Sequence, residues 1–123
     1  MTFQVSYPNG ETYMKVINTF ILENYVSQHP EAKNSLLAWL QDVQIREWRN
    51  SHEVLNHFPR AISLKGGDEF SFEIQTDCCY LLAAIHYPTK IVSIQAIGAL
   101  TVVLAPRIHN IYPRSHINGY KTN

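Results

Sequence analysis

Apolar positions change their spacing halfway along the chain. From Val16 to Gln28 they fall at Ile17, Phe20, Ile21 and Tyr25, with Asn24 completing the stripe. The i, i+3, i+4, i+7, i+8 spacing predicts an amphipathic helix. His29-Pro30-Glu31 interrupts it and starts a second. Proline suits a first helical turn, and a carboxylate there complements the positive end of the helix dipole. The second helix is expected to run to about Arg49, with Leu36, Leu37, Leu40, Val43 and Trp39 on its buried side. Ser51 is the expected cap of a short third helix, Glu53 to His57, which Pro59 ends.

Beyond Pro59 the period falls to two. Ala61–Leu64 predicts a short strand and Lys65-Gly66-Gly67-Asp68 a turn. Phe70, Phe72 and Ile74 alternate with Ser71, Glu73 and Gln75, which predicts a half-buried strand. Thr76-Asp77 turns the chain into a long apolar strand, Cys78–Tyr87, expected to be central. Pro88-Thr89-Lys90 makes a hairpin, Ile91–Leu100 returns, and Thr101–Leu104 is a candidate extension of that strand before Pro106 breaks regularity. The expected class is α+β: two N-terminal helices and a short third packed on an antiparallel sheet of about four strands. Residues 1–13, with the turn signal Pro8-Asn9-Gly10, read as an N-terminal extension. Residues 14–105 form the expected domain and 106–123 an irregular tail. Met14 offers a second start position.

Composition adds bounds. The 123 residues are 46% hydrophobic, enough for one core. The start lacks the basic and apolar segments of a signal peptide, and the longest apolar run, Ala96–Ala105, is too short to span a bilayer. No membrane role and a cytoplasmic location are therefore expected. Cys78 and Cys79 are adjacent, and neighbours on a strand point to opposite faces, so two thiols, at least one in the core, are expected rather than a disulfide. Formal net charge is zero but uneven. Residues 1–77 carry six basic and ten acidic side chains, a net of −4. Residues 78–123 carry only Lys90, Arg107, Arg114 and Lys121, a net of +4. A positive C-terminal half suits nucleic acid, although ordinary charge asymmetry also produces it.

The residues build no familiar catalytic motif. Lys65-Gly66-Gly67-Asp68 lacks the order of a phosphate loop and reads as a hairpin turn. The six histidines lack metal-ligand spacing, so neither metal nor cofactor is expected. Trp39 and Trp48 read as core and seam residues before they read as base-stacking platforms.

One resemblance narrows the field. Met14-Lys15-Val16-Ile17, His29-Pro30-Glu31-Ala32, Leu36-Leu37-Ala38-Trp39, Glu47-Trp48, Phe58-Pro59 and Phe72-Glu73-Ile74 follow one another with the order and spacing of a known family. Leu81–Tyr87 and Ile91–Gly98 fit its two central strands. Over residues 14–98 the chain resembles HigB toxins of type II toxin–antitoxin systems, which have a RelE-like fold. The resemblance implies a short first strand at Met14–Ile17. It also implies messenger RNA cleavage on the translating ribosome and a cognate HigA-like antitoxin as partner.

The chain departs from the family at the residues that carry chemistry. Metal-free RNA cleavage needs a base for the 2′-OH proton, a cation for the scissile phosphate and an acid for the leaving oxygen. The family's central strand reads Gly-Asn-Lys-Tyr-Arg-Leu, where this chain has Thr76-Asp77-Cys78-Cys79-Tyr80-Leu81. Its Thr-His-x-x-Tyr-Asp is replaced by Ala99-Leu100-Thr101-Val102-Val103-Leu104, and residues 99–123 match nothing in its pattern. One lost charge-stabilising donor is worth roughly 10²–10³ in rate. Lost acid–base groups add about 10²–10⁴. Weak activity is therefore expected, with Lys65, Tyr80 and His86 as substitute catalytic candidates. Lys90, Arg107 and His109 are the RNA-binding candidates. Each has a plainer reading: Lys65 as a solvated turn lysine, His86 as a strand surface residue.

Overall fold

In the computed structural model, the described residues form five strands in one mixed sheet, in the order β1-β5-β4-β3-β2. The structure describes residues 13–75 and 79–104. The strands are β1 (Lys15–Ile17), β2 (Ile62–Ser63), β3 (Glu69–Gln75), β4 (Cys79–His86) and β5 (Ile91–Gly98). The helices are α1 (Phe20–Gln28), α2 (Lys33–Gln44), α3 (Ser51–His57) and α4 (Leu100–Leu104). The predicted meander of four antiparallel strands is present as β2–β5, with β4 in the middle. The fifth strand is β1, at Lys15–Ile17 as the family resemblance implied, and it runs parallel to β5.

Hydrophobic period alone had joined β1 to the first helix. Asn18 separates them: its backbone is left-handed (φ 67), a conformation asparagine tolerates better than most residues. Its side-chain amide donates to Ser93 Oγ on β5 (3.1 Å). The helix stripe also shifts by one position. Leu22 and Val26 are buried and Ile21 and Tyr25 half-buried, whereas Ile17 and Phe20 are 44% and 57% exposed.

A tight turn at Pro30–Ala32 leads into α2, which buries Leu36, Trp39, Leu40 and Val43. This helix stops at Gln44, five residues before the expected end at Arg49, where Ile45 turns outward (53% exposed). The third helix is capped by Asn50, not Ser51: its Oδ1 accepts the Glu53 N–H (3.1 Å).

Beyond Gly98 the chain forms α4 rather than more strand. Tyr80↔Gly98 is the last β4–β5 pair, and β1 leaves β5 at Ser93, so a longer strand would lack ladder partners. The amides of Val102 and Val103 donate instead to the Ala99 carbonyl (both 3.0 Å).

Helices α1–α3 cover one face of the sheet. There Phe70 and Phe72 from β3, Leu81, Ala83 and Ile85 from β4, and Val92 and Ile94 from β5 join one buried cluster with the helices. Aromatic rings run through it: Phe72 lies 5.4 Å from Trp39 and 5.2 Å from Phe58, and Phe58 lies 6.0 Å from Trp48. Cys79 is fully buried at the start of β4. Cys78, the Thr76-Asp77 turn, residues 1–12 of the expected extension and the 106–123 tail lie outside the described residues.

Candidate functional site

Among the described residues the second face of the sheet carries no helix longer than α4, and two of the sequence candidates, Tyr80 and His86, stand on it. Strand side chains alternate, so Tyr80, Leu82, Ala84 and His86 leave β4 on this side while Leu81, Ala83 and Ile85 enter the core. From β3 the matching positions are Glu69, Ser71 and Glu73, register partners of Ala84, Leu82 and Tyr80. From β5 they are Ile91, Ser93 and Ala96, opposite His86, Ala84 and Leu82. Between Ser93 and Ala96 the pairing shifts by one residue, a bulge that brings Ala96 back to this face.

The face has two unlike ends. At one, α4 closes down. Val103 (1% exposed) packs with Leu64 and Leu82, and Tyr80, Ala96 and Leu104 flank that small apolar cluster. Ser71 lies on this face, 1% exposed, and its hydroxyl has no hydrogen-bond partner. The alternating pattern places Ser71 toward solvent; it is buried instead, with Ile62 of β2 as its register partner, a long-range effect invisible in the local sequence.

The opposite end of β4 is polar and open. His86 is exposed, and its Nδ1 lies 2.7 Å from Thr89 Oγ1. The turn bearing Lys65 lies beside it. Tyr87 Oη donates to the Gly67 carbonyl (2.9 Å), and the Ile85 amide donates to the Asp68 carbonyl (2.7 Å). Gly66 and Gly67 both have positive φ (78 and 75), which lets the turn fold back. Burial, with the nearby Asp68 charge, pushes the Tyr87 hydroxyl up to about 12, so it remains a proton donor at neutral pH.

The sequence candidates are thus only partly gathered. The Lys65 turn, His86 and Lys90 sit at one end of the sheet. Tyr80 lies six positions from His86 on the same strand, roughly 20 Å at about 3.3 Å per residue. One phosphate cannot touch both. Lys90 adopts a left-handed backbone (φ 60) and is ion-paired to Glu47, a bond that holds the Glu47 carboxyl below its ordinary range. Arg107 and His109 lie outside the described residues. Among the described residues no three His, Cys, Asp or Glu side chains gather as a metal site, and no helix is long and apolar enough to cross a membrane.

Two polar clusters escaped the sequence reading. His57 Nε2 meets Asp42 Oδ2 at 2.7 Å, and Arg46 binds the other Asp42 oxygen at 2.9 Å, clamping α3 to α2. Burial raises the Asp42 carboxyl, but the bonds and charges of His57 and Arg46 outweigh it and lower the net value. The i, i+4 spacing of Asp42 and Arg46 is a readable local signal. The His57 partnership joins separate helices and is not. The second cluster is a cleft of about 540 Å³ lined by Tyr25, His29, Glu31, Gln75, Gly98 and Ala99. The His29 ring stacks on Tyr25 (centroids 4.2 Å apart, planes 11° apart). Its only sequence mark is the helix break at His29-Pro30.

Comparison with known families gives one match. A family model described as HigB_toxin, the RelE-like toxic component of a toxin–antitoxin system, matches residues 32–101. That span is more than half of the chain and runs from the start of α2 into α4. No curated protein matches the chain.

Proposed function

The chain belongs to the HigB family of RelE-like toxins, and on that premise we propose that it is a ribosome-dependent messenger RNA endoribonuclease of weakened activity. Its partner is a cognate HigA-like antitoxin, and both act in the cytoplasm. The observation that carries the reading is the shared orientation of Tyr80 and His86. Both leave β4 on the sheet face that α1–α3 do not cover.

In this reading His86 exchanges protons with the RNA, its ring oriented by the 2.7 Å contact with Thr89. Lys65 supplies the cation for the scissile phosphate from the adjacent turn. Tyr80 donates a hydrogen bond to the strand further along the face, and Lys90, Arg107 and His109 hold the backbone.

The same geometry argues for low activity. Tyr80 supplies a hydrogen bond where the family has a permanent charge. Its register partner is the carboxylate Glu73, which Arg60 pairs at 2.8 Å. Lys90 must give up Glu47 to meet a phosphate. A second reading, an inactive module that only binds an antitoxin, is favoured by the apolar cover of α4 on the Tyr80 end.

Tightly induced expression in bacteria tests the proposal, with soluble protein confirmed. Slowed growth that co-expression of the adjacent antitoxin relieves supports a weak toxin. Normal growth with abundant folded protein sinks it in favour of the binding module.

A further inference from the structure

We propose that the cleft at the ends of β3 and β5 receives one unpaired nucleobase of a bound RNA strand, an inference that rests on the RNA reading above. The cleft, about 540 Å³, falls within the usual size of small-ligand sites. Its walls suit a flat heteroaromatic group. His29 ends α1 with a non-helical backbone (φ −135, ψ 67) that carries its ring out beside the cleft. One face of that ring is covered by Tyr25, and His29 as a whole is exposed, so the other face is available for stacking. The Nδ1–H donates to the Tyr25 carbonyl (3.3 Å), fixing the ring's orientation.

Gln75 supplies the means to read an edge. One N–H of its amide donates to the Glu31 carbonyl (3.2 Å), which holds the side chain in place. The other N–H and the amide oxygen form the adjacent donor and acceptor that a base edge requires.

Charge separates a base from a phosphate here. Among the described residues the lining contains no lysine or arginine, and its one carboxylate residue is Glu31. A phosphate would be repelled, whereas a base edge with N–H donors would not. Gly98, in its lining, is the register partner of Tyr80, so the cleft opens at the Tyr80 end of the sheet, on the side that carries α1. RNA is recognised chiefly through such unstacked bases, splayed onto aromatic side chains.

The test is binding of an unstructured, fluorescently labelled hexaribonucleotide to the full chain, read by anisotropy, with amide shifts recorded on ¹⁵N-labelled protein. Expected are shifts at His29, Gln75 and Ala99 and about tenfold weaker binding for His29→Ala. His29→Phe keeps a stacking face and should stay near the wild type, which a merely structural role for the histidine would not explain. A hexamer with one abasic position should lose affinity for the wild type but not for His29→Ala. RNA binding that His29→Ala and Gln75→Ala leave unchanged overturns the base cleft alone. Failure of the wild type to bind RNA overturns the proposed function and this inference together.

Discussion

The two faces of the sheet are built on different rules. Under α1–α3 every β4 position pointing inward is apolar and buried, and Phe70, Phe72, Phe58, Trp39 and Trp48 interlock. On the other face the same strand carries Tyr80, Leu82, Ala84 and His86, and only its Tyr80 end is covered, by the five residues of α4. The first face makes the fold unique. The second carries Tyr80, where the family resemblance implied an arginine, and leaves Ser71 with an unsatisfied hydroxyl. Stability and the proposed function are therefore separable by face, and substitutions should sort the same way.

Phe72→Ala should have the largest effect. It deletes the ring that Trp39, Phe58 and Phe70 contact and should cost about 3–5 kcal/mol by denaturant unfolding. A loss below about 1 kcal/mol would break the picture of one aromatic core. On the other face, Val103→Ala should cost about 1.5 kcal/mol, since α4 is held chiefly by that side chain. Amide exchange at Val102 and Val103 should accelerate without a matching change in β4; unchanged exchange would mean that α4 is anchored otherwise.

Tyr87→Phe should cost about 1 kcal/mol through the lost bond to the Gly67 carbonyl. Because the folded hydroxyl titrates near 12 rather than 10, its contribution is complete below pH 10 and fades as pH rises toward 12. Wild-type melting temperature should fall across that window more steeply than that of the phenylalanine variant; parallel curves would contradict the raised value of this half-buried hydroxyl. Ser71→Ala should have the smallest effect and the opposite sign. Removing an orphaned hydroxyl should leave stability unchanged or raise it by up to about 1 kcal/mol. A clear loss would show that the hydroxyl has a partner after all.

The sequence made the covered face readable because its apolar positions follow fixed periods. Leu36, Leu40 and Val43 on α2 and the phenylalanines of β3 needed nothing more. Period misled where a short element met a long one. Lys15–Ile17 read as helix until family resemblance marked it as strand, because three residues carry too little pattern to outweigh nine. Ser71 and Thr101–Leu104 were misplaced for a different reason: their environment is set by contacts across the sheet that no local window contains. Among the site residues, the shared face of Tyr80 and His86 follows from strand parity alone. The Glu47 bond to Lys90 and the Asp42–His57 contact join residues 43 and 15 positions apart, beyond the reach of spacing rules.

Cleavage of messenger RNA on translating ribosomes, measured beside a family member with the intact Arg and Thr-His-x-x-Tyr-Asp motifs, tests the central claim most directly. The account predicts cleavage at least about 10²-fold slower than that control, the scale of one missing charge-stabilising donor. It also predicts a further loss on His86→Ala. Cleavage equal to the control would contradict it, because the departures from the family's motifs would then carry no catalytic cost.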